Sequence, residues 1–185
     1  LMTVLNSQIR IQNKTGAILL TTTLNLFWAS VAPSGGVFDP KILYDPYANR
    51  WLFTACVGGH SASSGVLLGV SLTNDPTGNW FLYRAIADNT GASWADYPSF
   101  GFNKDWVVVS LNMFPISSAN ASETRIFVFR KSSIFSGTLG GIFFTRPGSE
   151  GFTITPAITY SPTEPTVYLL SSYVGNSGGN GFLRL

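Results

Sequence analysis

The sequence predicts an all-β fold made of repeated units of short strands, because proline spacing and strand-like apolar runs recur together. Three prolines stand at equal distances of 58 residues: Pro40, Pro98 and Pro156. An aromatic residue follows each proline four positions later, as Tyr44, Phe102 and Tyr160. A polar loop and then an apolar run, typical of a strand, come next in every unit. The repeat therefore predicts copies of one β-structural unit.

The composition also favours a β protein with many turns. Hydrophobic residues make up 45% of the 185 residues and charged residues only 11%, well below the usual quarter. Glycines number 19 and aromatic residues make up 14% of the chain, a usage that suits strands joined by turns. The formal charge of +2 is small and the basic residues are scattered. Nucleic acid is therefore not an expected partner.

The order of strands and turns predicts the blades of a β-propeller. Residues 36–90 and 94–150 each predict a complete unit of four consecutive strands, which is a propeller blade. Residues 1–31 predict the end of a preceding blade, and residues 152–185 predict a partial one. Closed propellers have four to eight blades. We therefore expect this single propeller region to be completed by more of the same chain or by another copy.

Single residues and segments indicate which further structural features the chain can have. Cys56 is the only cysteine, so an intrachain disulfide is excluded, and its apolar neighbours predict a buried thiol. No apolar run is long enough to predict a membrane span. The only predicted helical segment is a single turn at Ser132–Phe135.

Several short motifs occur in a fixed order along the chain. They are Asp39-Pro40, Tyr44-Asp45-Pro46, Arg50-Trp51, Asn74-Asp75-Pro76-Thr77-Gly78-Asn79-Trp80 and Asp96-Tyr97-Pro98. As a set, over most of the chain, they resemble a group of secreted bacterial β-propeller proteins. The resemblance implies a secreted or cell-surface location and no agreed activity, and it supplies no catalytic residues.

A looser likeness concerns the turn at Thr73–Trp80. It is similar to the Asp-box turn of sialidase-type propellers, although the glycine falls one place late and Pro76 intervenes. An Asp side chain in such a turn accepts backbone N–H groups while an aromatic ring packs beneath it. We therefore interpret Asp75 and Trp80 as structural.

Two aspartates are the candidate catalytic residues. Asp39 and Asp96 each lie just before a repeated proline, at the start of the first strand of a predicted blade. In a propeller these first strands line the central channel, so both acids are expected near one of its mouths. Two carboxyl groups on either side of a glycosidic oxygen are the minimum for hydrolysis of a glycoside. The Asp39-Pro40 start is similar to that of five-bladed glycosidases of the arabinanase and levansucrase type. The structural interpretation is favoured, because Asp before a strand is a common turn cap. The two aspartates also stand at unequal offsets, one and two residues before their prolines, and the third unit has Ile154 and Thr155 where an acid would continue the series.

Aromatic residues near these aspartates are the candidate ligand-binding residues. Trp94 and Tyr97 flank Asp96, and Trp28 precedes the Asp39 unit. Aromatic faces beside Asp and Asn side chains are typical of sugar sites, and we expect Trp94 and Trp28 on an exposed rim. With a single histidine, His60, a multi-histidine metal site is excluded within this chain.

Calcium is the one cofactor for which the chain offers candidate ligands. Carboxylates of Asp45, Asp75 or Asp88 with loop carbonyls would suit its preference for oxygen. No spaced calcium-binding loop of a known type is present, so no metal site is assigned.

Two hypotheses for function follow. The leading one is a secreted or surface-attached recognition or scaffold module that presents loops at one propeller mouth to glycans or proteins. The alternative is a glycoside hydrolase or lyase that uses Asp39 and Asp96 facing one channel.

Overall fold

The structure is a computed structural model that describes residues 1–177 and 180–185, and it is all-β. The first sheet contains β1 (Met2–Val4), β2 (Gln8–Gln12) and β3 (Ile18–Thr23). The second contains β4 (Val37–Asp45), β5 (Arg50–Val57), β6 (Gly65–Ser71) and β7 (Trp80–Ile86). The third contains β8 (Ser93–Phe102), β9 (Trp106–Pro115), β10 (Glu123–Arg130) and β11 (Gly141–Pro147). The fourth contains β12 (Thr155–Pro156), β13 (Leu169–Ser177) and β14 (Asn180–Arg184).

Each sheet is an antiparallel meander in which strands that follow one another in the chain are neighbours. The helical segments are short: α1 (Leu24–Phe27), α2 (Lys131–Ile134) and a 3₁₀ turn at Gly148–Glu150. The predicted turn at Ser132–Phe135 is confirmed by α2, whereas α1 was not predicted. Among the described residues, no helix is long and apolar enough to cross a membrane.

The fourth sheet departs from the sequence prediction. A strand was expected at residues 157–160, but β12 covers only Thr155–Pro156. The chain then leaves β13 and approaches the third sheet, where Ile158 forms an isolated parallel bridge with Phe102. The predicted glycine-rich loop around Gly178 and Gly179 lies outside the described residues.

Neighbouring sheets pack face to face, and the two central sheets are covered on both sides. In β5 the side chains alternate, so Leu52 and Cys56 join the core shared with the third sheet. Phe53, Ala55 and Val57 join the core shared with the first sheet. A smaller cluster around Val108, Ile126 and Ile154 lies between the third and fourth sheets. A strand buried on both faces explains why the apolar run of β5 is almost continuous.

The 58-residue repeat extends to the loop that follows the first strand of each unit. Asp45, Asn103 and Ser161 occupy equivalent positions, and each side-chain oxygen accepts the N–H group two residues later. These side chains hold the polar loops in turn conformation. One repeated capping position therefore shapes three loops.

A buried ion pair joins the second sheet to the segment that follows the third strand of the third sheet. The Lys131 ammonium lies 2.7 Å from Asp45 Oδ2, and both side chains are almost fully buried. The same nitrogen lies 4.5 Å from the centre of the Phe102 ring and 5.1 Å from that of Tyr47. Burial lowers the pKa of Lys131, and Asp45 opposes that shift.

Candidate functional site

Two β-bulges place the candidate site at the boundary between the second and third sheets. In β4 the pairing with β5 shifts between Phe38 and Lys41, and in β8 the pairing with β9 shifts between Asp96 and Ser99. Asp39 and Tyr97 each stand directly before the repeated proline, and both have a φ of 51°. The bulges therefore repeat with the 58-residue period.

The backbone is strained at one residue of each bulge, Asp39 and Tyr97. A positive φ costs a residue other than glycine about 1–3 kcal/mol, and such strain concentrates at functional sites. In the part of the chain that the structure describes, five residues other than glycine have a positive φ. Asp39, His60 and Tyr97 are three of them, and all three belong to this region. The clustering of strain supports a site here.

A small cavity opens beside the two bulges. It has a volume of about 330 Å³ and is lined by residues of β1, the β1–β2 loop, β4 and β8: Val4, Leu5, Asn6, Asp39, Pro40, Lys41 and Tyr97. We call it the Tyr97 pocket. Tyr97 is 50% exposed, so part of its side chain is accessible from solvent. The Asp39 N–H group donates to Asn6 Oδ1 at 2.7 Å, which fixes the amide at the rim.

Asp39 and Asp96 lie close enough for their carboxyl groups to interact. Burial raises the pKa of Asp96, and its hydrogen bond and charge interaction with Asp39 raise it further. The Tyr97 N–H group and the positive charge available to His60 act in the opposite direction. A neighbouring carboxylate raises the pKa of a carboxyl group, because two negative charges repel each other. We call them the carboxyl pair.

Lys41 and Cys56 lie close enough to interact with the carboxyl pair. Burial lowers the pKa of Lys41, against an opposing effect of Asp39. The Lys41 ammonium lies over the Tyr97 ring, 4.6 Å from its centre. Cys56 is buried, as predicted, and burial raises its pKa well above the usual thiol value. Its thiol is therefore protonated and unreactive at neutral pH.

The structure brings together only part of the predicted ligand-binding set. Tyr97 is exposed, but Trp28 is fully buried and Trp94 is only 8% exposed. The expectation that these two tryptophans form an exposed rim is wrong. Trp28 packs against Phe53 with ring centres 5.0 Å apart, which places it in the core between the first and second sheets.

Trp94 is covered by aromatic neighbours. Its ring centre lies 4.0 Å from that of His60 and 5.3 Å from that of Phe114. Trp94 therefore supports the loop that carries His60 and offers little face to a ligand. Whether either tryptophan has a binding role beyond packing stays a prediction.

Three carboxylates considered for calcium are used within the protein. Asp45 pairs with Lys131, and Asp75 accepts bonds from the N–H and hydroxyl groups of Thr77. Asp88 accepts bonds from Thr90, Ala92 and Ser93 in its own loop. Among the described residues, no three His, Cys, Asp or Glu side chains converge as a metal centre. The calcium hypothesis stays a prediction.

Sequence reasoning missed Asn6 and Lys41. Lys41 follows Pro40 directly and lies on the strand that carries Asp39, so its position next to a candidate acid was a usable signal. Asn6 lies in the turn between β1 and β2, 33 residues from Asp39, and no local pattern indicates that it reaches the site.

In comparisons with known proteins, no family model, no curated protein and no solved structure matches this chain.

Proposed function

We propose that the four sheets are blades of a β-propeller and that the protein is a secreted or cell-surface recognition module. The support is the order of the strands: consecutive antiparallel meanders of three or four strands that stack face to face. The first strands of successive sheets also lie beside one another, because β4 contacts β1 and β8, and β8 contacts β12. A propeller places its first strands around a central axis and its binding loops at one mouth.

The Tyr97 pocket is the observation that carries recognition of glycans. Its exposed aromatic ring stands beside a carboxyl group, an amide and an ammonium group, from Asp39, Asn6 and Lys41. Sugars present an apolar face and a ring of hydroxyl groups, which suit stacking combined with directional hydrogen bonds. The pocket volume of about 330 Å³ lies at the lower end of the range for small-molecule sites. The expected ligand is therefore one or two sugar units of a glycan.

A glycan array with the full chain tests this function. Tyr97→Ala removes the aromatic face and is expected to abolish binding to whichever glycans the unaltered protein retains. Tyr160→Ala is the matched control, because Tyr160 is 63% exposed and does not line the pocket. Absence of any glycan binding, or equal binding by the Tyr97→Ala protein, would refute the proposal.

The second candidate function is a glycoside hydrolase or lyase, and the proximity of Asp39 and Asp96 favours it. The two carboxyl groups are close enough to interact, and the hypothesis requires in addition that both face one channel. Glycosidases, however, separate their two carboxyl groups by about 5–5.5 Å or about 6.5–9.5 Å to admit the bond to be cleaved. Asp39 lines the Tyr97 pocket and Asp96 is not among its lining residues. Recognition in this pocket needs no second carboxyl group and is therefore placed first.

Product release from polysaccharides distinguishes the two candidates. A hydrolase or lyase would release reducing ends from a polysaccharide, and Asp39→Asn or Asp96→Asn would abolish that release. A recognition module would bind without releasing reducing ends. Turnover that persists in both variants would exclude the carboxyl pair as its catalytic residues.

A further inference from the structure

We propose that a cavity between the third and fourth sheets binds an alkyl carboxylate, with the hydrocarbon chain between the sheets and the carboxylate beside Arg146. The cavity has a volume of about 700 Å³, within the range of about 300–1,000 Å³ that is typical of small-molecule sites. We call it the inter-sheet cavity. The residues of the Tyr97 pocket do not line it, so the inference does not depend on the proposed glycan recognition.

The third sheet presents side chains of different size to its two neighbours. Phe127 and Phe129 of β10 join the core shared with the second sheet. Ile126 and Val128 alternate with them along the strand, as successive side chains of a strand do, and line the inter-sheet cavity on the other face. The aliphatic side chains leave a space on the face where no phenylalanine ring fills it.

The fourth sheet supplies the opposite wall of the cavity. Val167 and Leu169 line it and pack against the cluster that contains Val108, Ile126 and Ile154. Protein interiors are packed so closely that voids larger than a water molecule are few. A space of about 700 Å³ between two apolar walls is therefore large enough to hold a ligand and too large to be an ordinary packing defect.

The charged side chains favour an anionic head group. Among the described residues that line the cavity, these are Arg146, Glu150 and Arg184, two positive and one negative. Arg146 Nη1 lies 3.8 Å from Glu150 Oε2, and the two side chains are 54% and 48% exposed, so this ion pair is weak. Arg184 Nη1 donates to the Glu150 carbonyl oxygen at 2.6 Å, which holds the second positive charge nearby. A guanidinium group binds a carboxylate through two parallel hydrogen bonds.

The apolar walls favour a hydrocarbon chain over a sugar. Most of the described lining residues are aliphatic or aromatic. The hydroxyl groups of a sugar would lose their bonds to water against such walls, which is unfavourable. A hydrocarbon chain has no such groups, and each CH₂ that it buries strengthens binding about fourfold. An alkyl chain that ends in a carboxylate therefore suits both the walls and the charges.

Titration of the full chain with hexanoate, octanoate and decanoate tests the site, with methyl NMR of the isoleucine and valine side chains as the measurement. We expect the signals of Ile126, Val128 and Ile154 to shift, and affinity to rise about fourfold for each added CH₂. Ile9 is the internal control, because it is buried between the first and second sheets. Absence of decanoate binding, or affinity that does not depend on chain length, would overturn the proposal.

Two variants test the two halves of the site separately. Val128→Phe places a ring in the cavity and should abolish decanoate binding. Arg146→Gln should weaken decanoate binding about two- to fivefold, as expected for a partly exposed ion pair, and should not affect decanol, which has the same chain without the charge. Lys14→Gln is the matched control, because it removes a positive charge from an exposed turn of the first sheet, and it should bind decanoate as the unaltered protein does.

The outcomes distinguish this site from its alternatives. Undiminished binding of decanoate by folded Val128→Phe would overturn the location, and equal effects of Arg146→Gln and Lys14→Gln would overturn the role of Arg146. If Val128→Phe does not fold, the methyl shifts of the unaltered protein decide the location. If decanoate does not bind and the protein forms a dimer that Val128→Phe dissociates, a second copy occupies the cavity and the ligand proposal is wrong. The glycan array with Tyr97→Ala is independent of these results, so failure of this site and failure of the proposed function can be told apart.

Discussion

Replacement of Lys131 by methionine is expected to destabilise the protein strongly. Methionine keeps the approximate length and apolar stem of lysine but removes the charge that faces Asp45. The Asp45 side chain is fully buried and lies 2.7 Å from the lysine nitrogen. Within the described chain, Lys131 Nζ and Asp45 Oδ2 have no hydrogen-bond partner beyond this ion pair. The variant would therefore leave an unpaired carboxylate in the core.

The magnitude follows from the burial of both partners. Removal of one partner from a buried ion pair costs about 3–5 kcal/mol. That is a large share of the roughly 5–15 kcal/mol by which native proteins are stable. For a chain of this size each kcal/mol lowers the melting temperature by about 2–4 °C, so we expect a decrease of roughly 6–20 °C.

Thermal and denaturant unfolding of the purified variants would measure this effect. Lys104→Met is the matched control, because Lys104 pairs with Asp105 at the surface, where 32% and 48% of the two side chains are exposed. Exposed pairs contribute only about 0–1 kcal/mol. If Lys131→Met unfolds at the same temperature as Lys104→Met, the reasoning from burial is wrong.

A double variant tests whether the unpaired charge causes the loss. Asp45→Asn combined with Lys131→Met removes both charges, while the Asn oxygen still accepts the bond that the Tyr47 N–H group now donates to Asp45. We expect it to be more stable than Lys131→Met alone. Equal or lower stability would show that lost packing around Phe102 and Tyr47, and not the orphaned charge, dominates.

Three further predictions concern the packing of the sheets, the cysteine and one loop. Gly101→Ala should lower the melting temperature, because a Cβ atom there would lie 2.5 Å from the Ala157 and Pro156 carbonyl oxygens; Gly140→Ala, with its closest atom at 3.5 Å, should not. Cys56 should resist alkylation at neutral pH until the chain unfolds, as mass spectrometry of labelled protein would show; rapid labelling of folded protein would contradict its burial. For Asp88, burial raises the pKa, but hydrogen bonds from Thr90 and Ser93 and the charge of Arg125 outweigh it and lower the pKa overall. The stabilisation that Asp88 provides is therefore present above the unfolded-state pKa and lost as pH falls through the folded-state pKa. Asp88→Asn should be less stable than the unaltered protein at neutral pH and similar to it in strong acid, and a constant difference across the pH range would refute this account.

Much of the fold could be predicted because its signals are local. Apolar runs such as 50–57 and 106–113 lie within strands of the structure. Strands that follow one another in the chain also pair with one another, so their order required no long-range information. The burial of Cys56 followed from its apolar neighbours. The propeller itself stays a prediction.

The exposure of the aromatic residues could not be predicted in the same way. Trp28 follows the unpredicted helix α1, which turns its ring into the core between two sheets. Trp94 lies beside a candidate acid in the sequence, yet His60 and Phe114 cover its ring. Exposure depends on which distant element packs over a side chain, and no local pattern records that.

The candidate site depends on residues that are far apart in the sequence, so local patterns could not predict it in full. The sequence established a 58-residue repeat, its prolines, and an aspartate near two of them. The aspartates stand at unequal offsets, one and two residues before their prolines, which argued against a shared site. In the structure, Asp39 and Asp96 both stand at bulges, in two different sheets, and come close enough to interact. A bulge changes the side to which a side chain points, and the packing of the sheets sets its neighbour. The meeting of the two acids is therefore a property of the tertiary structure.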